Sequence, residues 1–151
     1  ASAAAGLGGW FTGRRPADPA ARLVGRWNAT LWQGERTQLV IETAPQGLRL
    51  TTEPIAIGER ADWADYRRFW HERFGTPLEA VRYRGAGTLR ADPGEAPQLT
   101  FVIQVHTVPE GSEPIDGGSL SATLAADGPR LDGTLWLNGA QAQQPVTLQR
   151  E

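Results

Sequence analysis

The chain of 151 residues contains no cysteine, no methionine and no lysine. Without cysteine it can form no disulfide, no thiol nucleophile and no cysteine-ligated metal centre, so its stability has to come from a packed core. All 15 basic residues are arginine, and the formal net charge is only -2. This balance argues against the broad basic surface that neutralises nucleic-acid phosphates, so we expect no nucleic-acid partner.

Sequence patterns that carry chemistry are equally scarce. Only two histidines occur, His71 and His106, and neither has a partner at the spacing of metal ligands. The chain lacks the Gly-x-Ser-x-Gly elbow of hydrolases and the glycine-rich phosphate-binding loops. We therefore expect exposed histidines, no metal, no cofactor and no catalytic residue, and we favour a non-enzymatic protein.

The chain begins with Ala1 rather than methionine, and its first residues are rich in alanine and glycine. Trp10-Phe11 and then Arg14-Arg15 follow this run, as aromatic and basic residues do at a membrane boundary. We interpret 1–21 as a tail and linker, with a signal remnant or membrane anchor at or before 1–15. An arbitrary boundary is the third interpretation. The first two predict an extracytoplasmic protein, either periplasmic or secreted.

From residue 22 to 151 apolar and polar residues alternate with a period of two, which is typical of strands with one buried face. Turn residues divide this region into about eight runs, the spacing of an antiparallel barrel or sandwich. We predict one all-β domain over 22–151, an up-and-down barrel. Its strands are predicted at 22–33, 36–43, 46–53, 79–91, 97–108, 117–125, 130–138 and 143–150.

One segment has helical periodicity instead. Between about 61 and 75 the aromatic residues fall on one stripe, and Gly75 marks the end of a helix. A stripe this aromatic is more typical of packing than of cofactor binding. We therefore predict an inserted α-helix that packs on the barrel or on a partner through Trp63, Tyr66, Trp70 and Phe74.

Strand parity also assigns candidate contact residues outside the helix. Trp32 and Trp136 have outward parity, and exposed tryptophans are enriched at interfaces. The alternative is that the helix or the N-terminal segment covers them. Arg82, Arg84 and Arg90 share the outer side of one strand and form either a basic stripe for an acidic partner or ion pairs with neighbouring carboxylates. Tyr83 has inward parity and is a candidate ligand contact.

The interior can be interpreted in two ways. Gly85, Gly87, Ala122 and Gly133 have inward parity, so these positions either leave a hollow space or relieve strand curvature. A hollow barrel would favour a ligand, and a filled barrel would favour assembly.

Gly25-Arg26-Trp27 opens the first strand, and Arg150 closes the last one with inward parity. This combination resembles the lipocalin and calycin barrels. The resemblance implies that Arg150 covers Trp27 and closes one end of the barrel, with Gly25 beside them. In that family the helix usually follows the barrel, whereas here it interrupts the strands.

Three functions are consistent with these features. We favour an accessory binding or assembly domain that docks on a membrane-associated protein partner. The alternatives are a carrier of a small hydrophobic ligand and a barrel-type cyclase or isomerase that acts on an apolar substrate.

Overall fold

The computed structural model describes residues 19–58, 60–126 and 129–151. Residues 1–18, which hold most of the predicted tail and the whole predicted anchor, lie outside the described residues. Helix α1 (Pro19–Leu23) begins within the predicted linker and precedes the first strand. Its last residue, Leu23, is fully buried, so α1 belongs to the packed domain.

The domain is a closed barrel of eight antiparallel strands with one short additional strand, as the alternation predicts. The strands are β1 (Gly25–Thr30), β2 (Arg36–Ala44), β3 (Gly47–Thr52), β4 (Ile55–Ala56), β5 (Ala80–Arg90), β6 (Gln98–Thr107), β7 (Asp116–Leu124), β8 (Arg130–Leu137) and β9 (Ala142–Arg150).

Successive strands pair as neighbours except β3 and β4, and two further pairings close the barrel. Strand β9 pairs with β1, and β3 pairs with β5 from Leu48↔Gly87 to Thr51↔Arg84. Strand β4 is an additional short strand that the sequence did not predict. It pairs with β5 at Ile55↔Val81, next to the part of β5 that pairs with β3. Closure leaves the eight main strands without a free sheet edge.

Period-two alternation explains why these segments form a barrel. In β6, for example, Leu99, Phe101, Ile103 and Val105 are buried while the residues between them up to Gln104 are exposed. Burying one face of each strand removes a continuous apolar surface from water, which is the main force that stabilises the fold. The resulting core is a single cluster drawn from every strand and from α1.

The inserted helix is found close to its predicted position. A 3-10 turn (Ala61–Trp63) leads into α2 (Ala64–Phe74), and Gly75 follows with φ 70°. Glycine populates this left-handed conformation readily, which explains the end of the helix at the predicted residue.

The first strand is shorter than predicted, and this changes the position of Trp32. Strand β1 ends at Thr30, and a 3-10 turn (Trp32–Gly34) replaces the expected extended residues. The turn ends the alternation, so Leu31 and Trp32 are both buried, at 3% and 4% exposure. The prediction that Trp32 faces outward is therefore wrong.

Candidate functional site

One end of the barrel is closed by Trp27 and Arg150. Trp27 is fully buried on β1, and its indole Nε1 donates a hydrogen bond of 2.8 Å to the Leu23 carbonyl. The Arg150 guanidinium lies over the Trp27 ring, 5.5 Å from its centroid, and donates to the carbonyls of Arg22 and Val24. These contacts tie α1 to the last strand, in the arrangement that the strand parity implies.

Gly25 makes room for this arginine. Its φ of 134° suits glycine, and a Cβ added there would lie 2.9 Å from Arg150 Nη2. Arg150 therefore lies against both Gly25 and Trp27 at this closed end.

Inside the barrel, the glycines adjoin neighbouring strands. A Cβ at Gly87 would lie 2.0 Å from the Thr100 carbonyl oxygen, and one at Gly133 would lie 1.9 Å from that of Ser121. At Gly85 the nearest atom is the Ile103 Cδ1, at 2.9 Å. A side chain at Gly87 or Gly133 would therefore meet the backbone of a neighbouring strand, which favours the curvature interpretation over a hollow space at these positions.

The other barrel end, called here the mouth, is covered by the connections between strands. The 3-10 turn after β1 places Trp32 there, and the segment between β3 and β5 contributes the buried side chains of Ile57, Trp63 and Leu78. Arg60 Nε lies 3.8 Å from the buried carboxylate of Glu35, which joins these two connections. The residues before and after α2 therefore close the mouth, whereas α2 itself lies further from the core.

Helix α2 is attached to the mouth mainly through Tyr66. The Tyr66 hydroxyl donates a hydrogen bond of 2.6 Å to Asp116 Oδ2 at the start of β7. Asp116 also accepts from the backbone N–H groups of Gly117 and Gly139, which positions its carboxylate. Burial, and then the bond to Asp116 with its negative charge, raise the pKa of Tyr66 well above the ordinary tyrosine value.

None of the residues of α2 is fully buried, so its aromatic stripe is only partly packed. Tyr66 and Trp70 pack against the core, and Trp63 is buried just before the helix. Phe74 is 51% exposed, although its ring lies 4.2 Å from that of Trp70, and Phe69 is 57% exposed. Phe74 therefore does not pack on the barrel, and its packing on a partner stays a prediction.

An open groove of about 870 Å³ runs between α2 and the loop from β6 to β7. Phe69, Trp70 and Phe74 are on the helix side of this groove, and the loop from 111 to 115 is on the other side, with Leu78 between them. Most small-molecule sites are concave and apolar with a few polar groups, and their volumes are about 300–1,000 Å³. The groove has these properties, and we treat it as the candidate binding site.

The titratable side chains at the groove are Asp65, Tyr66, Arg73 and Glu113. Asp65 forms an ion pair with Arg68 at 2.8 Å, and the Tyr66 hydroxyl donates a hydrogen bond to Asp116. The Arg73 guanidinium lies 5.6 Å from the Phe74 ring centroid, as in a cation–π contact. This arrangement suits the binding of an apolar group, and it contains no nucleophile held by a base in the part of the chain that is described.

The three arginines on β5 are each engaged with a nearby acceptor. Arg82 donates to the Thr52 carbonyl at 3.1 Å, Arg84 pairs with Glu110 at 2.7 Å and Arg90 pairs with Asp92 at 2.7 Å. Local pairing thus accounts for this stripe. The structure does not bring the arginines to the groove, and Tyr83 lies in the core at 2% exposure.

The two histidines differ from each other. His71 is exposed, as expected, but His106 is buried at 7% exposure and lies 3.0 Å from Gln104 Oε1 and 3.8 Å from Glu110 Oε2. The prediction that His106 is exposed is wrong: His106 lies within β6, where it pairs with Arg82 of β5, and it is on the same side as Gln104, but Gln104 and Glu110 lie against its ring. Across the described ranges, no group of three or more metal-ligating side chains is assembled.

On the outer surface, Trp136 is 37% exposed, and its indole Nε1 donates to Asn138 Oδ1 at 2.8 Å. Val102, on the outward side of β6, is 67% exposed. Sequence reasoning missed Val102, although its outward parity between the buried Phe101 and Ile103 was the available signal. It also missed Phe69 as a groove residue, although Phe69 adjoins Trp70 of the aromatic stripe.

Comparison with known proteins finds no matching family model, no matching curated protein and no matching solved structure. The fold and the site therefore have to be interpreted from the chain itself. Within the described part of the chain, no helix has the length and apolar character needed to span a membrane.

Proposed function

We propose that this domain is a non-enzymatic binding domain, and that the groove between α2 and the 111–115 loop is its binding site. The single observation that carries the proposal is the exposure of Phe69 and Phe74 in a groove of about 870 Å³. Two half-exposed phenylalanines beside Trp70 leave apolar surface that an apolar group of a ligand would cover.

The occupant that we favour is an apolar segment of a protein partner, which makes the chain an accessory or assembly domain. The groove is open along its length, and partner helices and strands commonly dock in grooves of this kind. The second candidate is a small hydrophobic ligand, which the groove volume favours. A cyclase or isomerase has no comparable support, since the titratable groups at the groove are not arranged as acid and base.

The lipocalin-like relationship is part of this proposal. A closed eight-stranded antiparallel barrel and the stacking of Arg150 on Trp27 support it. An extracytoplasmic location, with attachment through a segment at or before 1–15 and a membrane-bound partner, is supported by the sequence of that segment. Fractionation of cells that express the full-length gene tests the location. Recovery of the protein as a cytoplasmic monomer would contradict it.

A neutral fluorescent probe, N-phenyl-1-naphthylamine, tests the groove directly. We expect saturable binding to the wild-type chain and at least a tenfold weaker affinity in the Phe69→Ser/Phe74→Ser variant. Val102→Ser is the matched control, since it removes exposed apolar surface away from the groove. Equal binding to all three proteins would contradict the groove as the site.

Photo-crosslinking distinguishes the two occupants. Benzoylphenylalanine at position 69 should form a covalent adduct with one protein in cells, and the same group at Pro93, at the other end of the barrel, should not. An adduct at both positions, or at neither, would remove the support for a protein partner and leave the small-ligand alternative.

A further inference from the structure

A second concave region lies on the outside of the barrel, on the three adjacent strands β9, β1 and β2, and its volume is about 520 Å³. Short threonine side chains lie between longer ones here, which makes the surface concave. We call this region the polar hollow. Two rows of outward side chains line it, and across the strands they are Thr147, Thr30 and Arg36, and then Gln149, Asn28 and Gln38.

Arg36, the first residue of β2, is the one charged side chain among the residues that line the polar hollow. Within the described part of the chain, its guanidinium has neither an ion pair nor a hydrogen bond. The other arginines on the strands all have an acceptor: Arg26, Arg49, Arg82, Arg84, Arg90, Arg130 and Arg150. Arg36 therefore differs from them in having its charge available to a ligand.

The groups around Arg36 are suited to donate hydrogen bonds. The hydroxyl groups of Thr30 and Thr147 lie in the same row. Asn28 Oδ1 accepts a hydrogen bond of 3.3 Å from Gln38 Nε2, which leaves the Asn28 amide nitrogen as a donor. A guanidinium fork with further donors beside it matches the oxygens of a carboxylate or phosphate group, which accept only.

The hollow is partly ordered before a ligand binds. Gln38 Oε1 accepts from Arg26 Nη2 at 3.1 Å, and Gln38 Nε2 also donates to Glu151 Oε2 at 2.9 Å. Glu151 brings a carboxylate close to the hollow, but Arg26 compensates its charge at 3.2 Å. The charge that faces a ligand is therefore positive, and fixed polar groups lower the entropic cost of binding.

We propose that the polar hollow binds a small hydroxylated molecule that carries an oxyanion, such as a phosphorylated or acidic sugar. Arg36 pairs with the oxyanion, and the hydroxyl and amide groups of the hollow bond to the hydroxyl groups of the ligand. The hollow is open to solvent, so salt weakens this pairing and the binding is reversible. The proposal is independent of the groove and of the function proposed for it.

Titration of the isotopically labelled full chain, followed by NMR, tests the hollow. The probes are glucose 6-phosphate, glucuronate and neutral glucose. We expect saturable amide shifts at Thr30, Arg36 and Thr147 with at least one of the two acids, and none with glucose at the same concentrations. Binding of both acids supports recognition of any oxyanion, and binding of one identifies it as a phosphate or a carboxylate.

Two arginine variants separate the site from general electrostatic attraction. Arg36→Gln should weaken binding of the acid at least about tenfold, because it removes a charge-assisted contact. Arg49→Gln is the matched control, since it makes the same change in net charge on β3, outside the hollow, and it should bind as the wild type does. Circular dichroism checks that both variants are folded. The absence of saturable shifts with both acids, equal binding of glucose, or equal weakening in the two variants would overturn the proposal.

Discussion

At the scale of single residues, the closed end of the barrel depends on Trp27. The ring is fully buried, its Nε1 is bonded to the Leu23 carbonyl and Arg150 covers its face. Truncation to alanine leaves a large cavity, so we expect Trp27→Ala to lower the free energy of unfolding by about 3–5 kcal/mol. Urea denaturation measures this, with Trp136→Ala at low protein concentration as the control.

The control makes the same chemical change on the outer surface, where the expected loss is below about 1 kcal/mol. Equal losses in the two variants would mean that Trp27 has no special part in closing the barrel.

Tyr66 gives a residue-scale prediction that depends on pH. Its pKa is raised in the folded chain by burial and by Asp116, so the unfolded chain releases the hydroxyl proton at a lower pH than the folded chain. The stability that this hydroxyl contributes is complete below about pH 10 and declines as the pH rises further. We expect the difference in unfolding free energy between wild type and Tyr66→Phe to shrink above pH 10.

Urea denaturation from pH 7 to strongly alkaline pH measures this difference. All other side chains are the same in both proteins, so their contributions to the difference cancel. A difference that stays constant across the range would show that Tyr66 does not titrate differently in the folded and unfolded chains.

At the scale of elements, the strands could be predicted much better than their connections. Period-two alternation reports burial directly, so the eight strands, their faces and the helix from about 61 to 75 follow from the sequence. The 3-10 turn at Trp32–Gly34 and the short strand β4 do not, because both depend on contacts with distant parts of the chain. Trp32 was misplaced because parity fails where the extended backbone of β1 ends. His106 was misplaced for another reason: it lies inside β6 on the same side as Gln104, and Glu110 of the following loop lies 3.8 Å from it.

The candidate site was only half predictable. The predicted helical stripe contains Tyr66, Trp70 and Phe74, which line the groove, but the groove also needs the loop from 111 to 115. Nothing in the sequence places that loop opposite the helix, because their approach follows from barrel closure. The bond between Tyr66 and Asp116, which are 50 residues apart, has the same origin.

The interior strands give a prediction of their own. A methyl group at Gly87 would meet the Thr100 backbone, which cannot move cheaply, whereas one at Gly85 meets the flexible end of Ile103. We expect Gly87→Ala to destabilise the barrel by about 1–3 kcal/mol and Gly85→Ala to cost less. Thermal or urea unfolding compares them. Full tolerance of both substitutions would indicate free space inside the barrel and revive the hollow-barrel interpretation.

At the scale of the whole molecule, the residues that stabilise the fold and those of the proposed binding site lie in different places. The barrel interior supplies stability, the closed end with Trp27 and Arg150 completes it, and binding is assigned to the groove that the inserted segment adds at the mouth. The position of the helix between strands, which departs from the lipocalin pattern, is thus the feature from which the proposed function arises.

NMR mapping of the probe site shows whether ligands bind in the groove. On titration of the isotopically labelled chain with N-phenyl-1-naphthylamine, we predict amide shifts confined to α2, Leu78 and the 111–115 loop. Core residues such as Phe101 and Leu135 should stay unchanged. Shifts centred on those core residues would place the ligand inside the barrel, and either that result or the absence of saturable shifts would contradict the account.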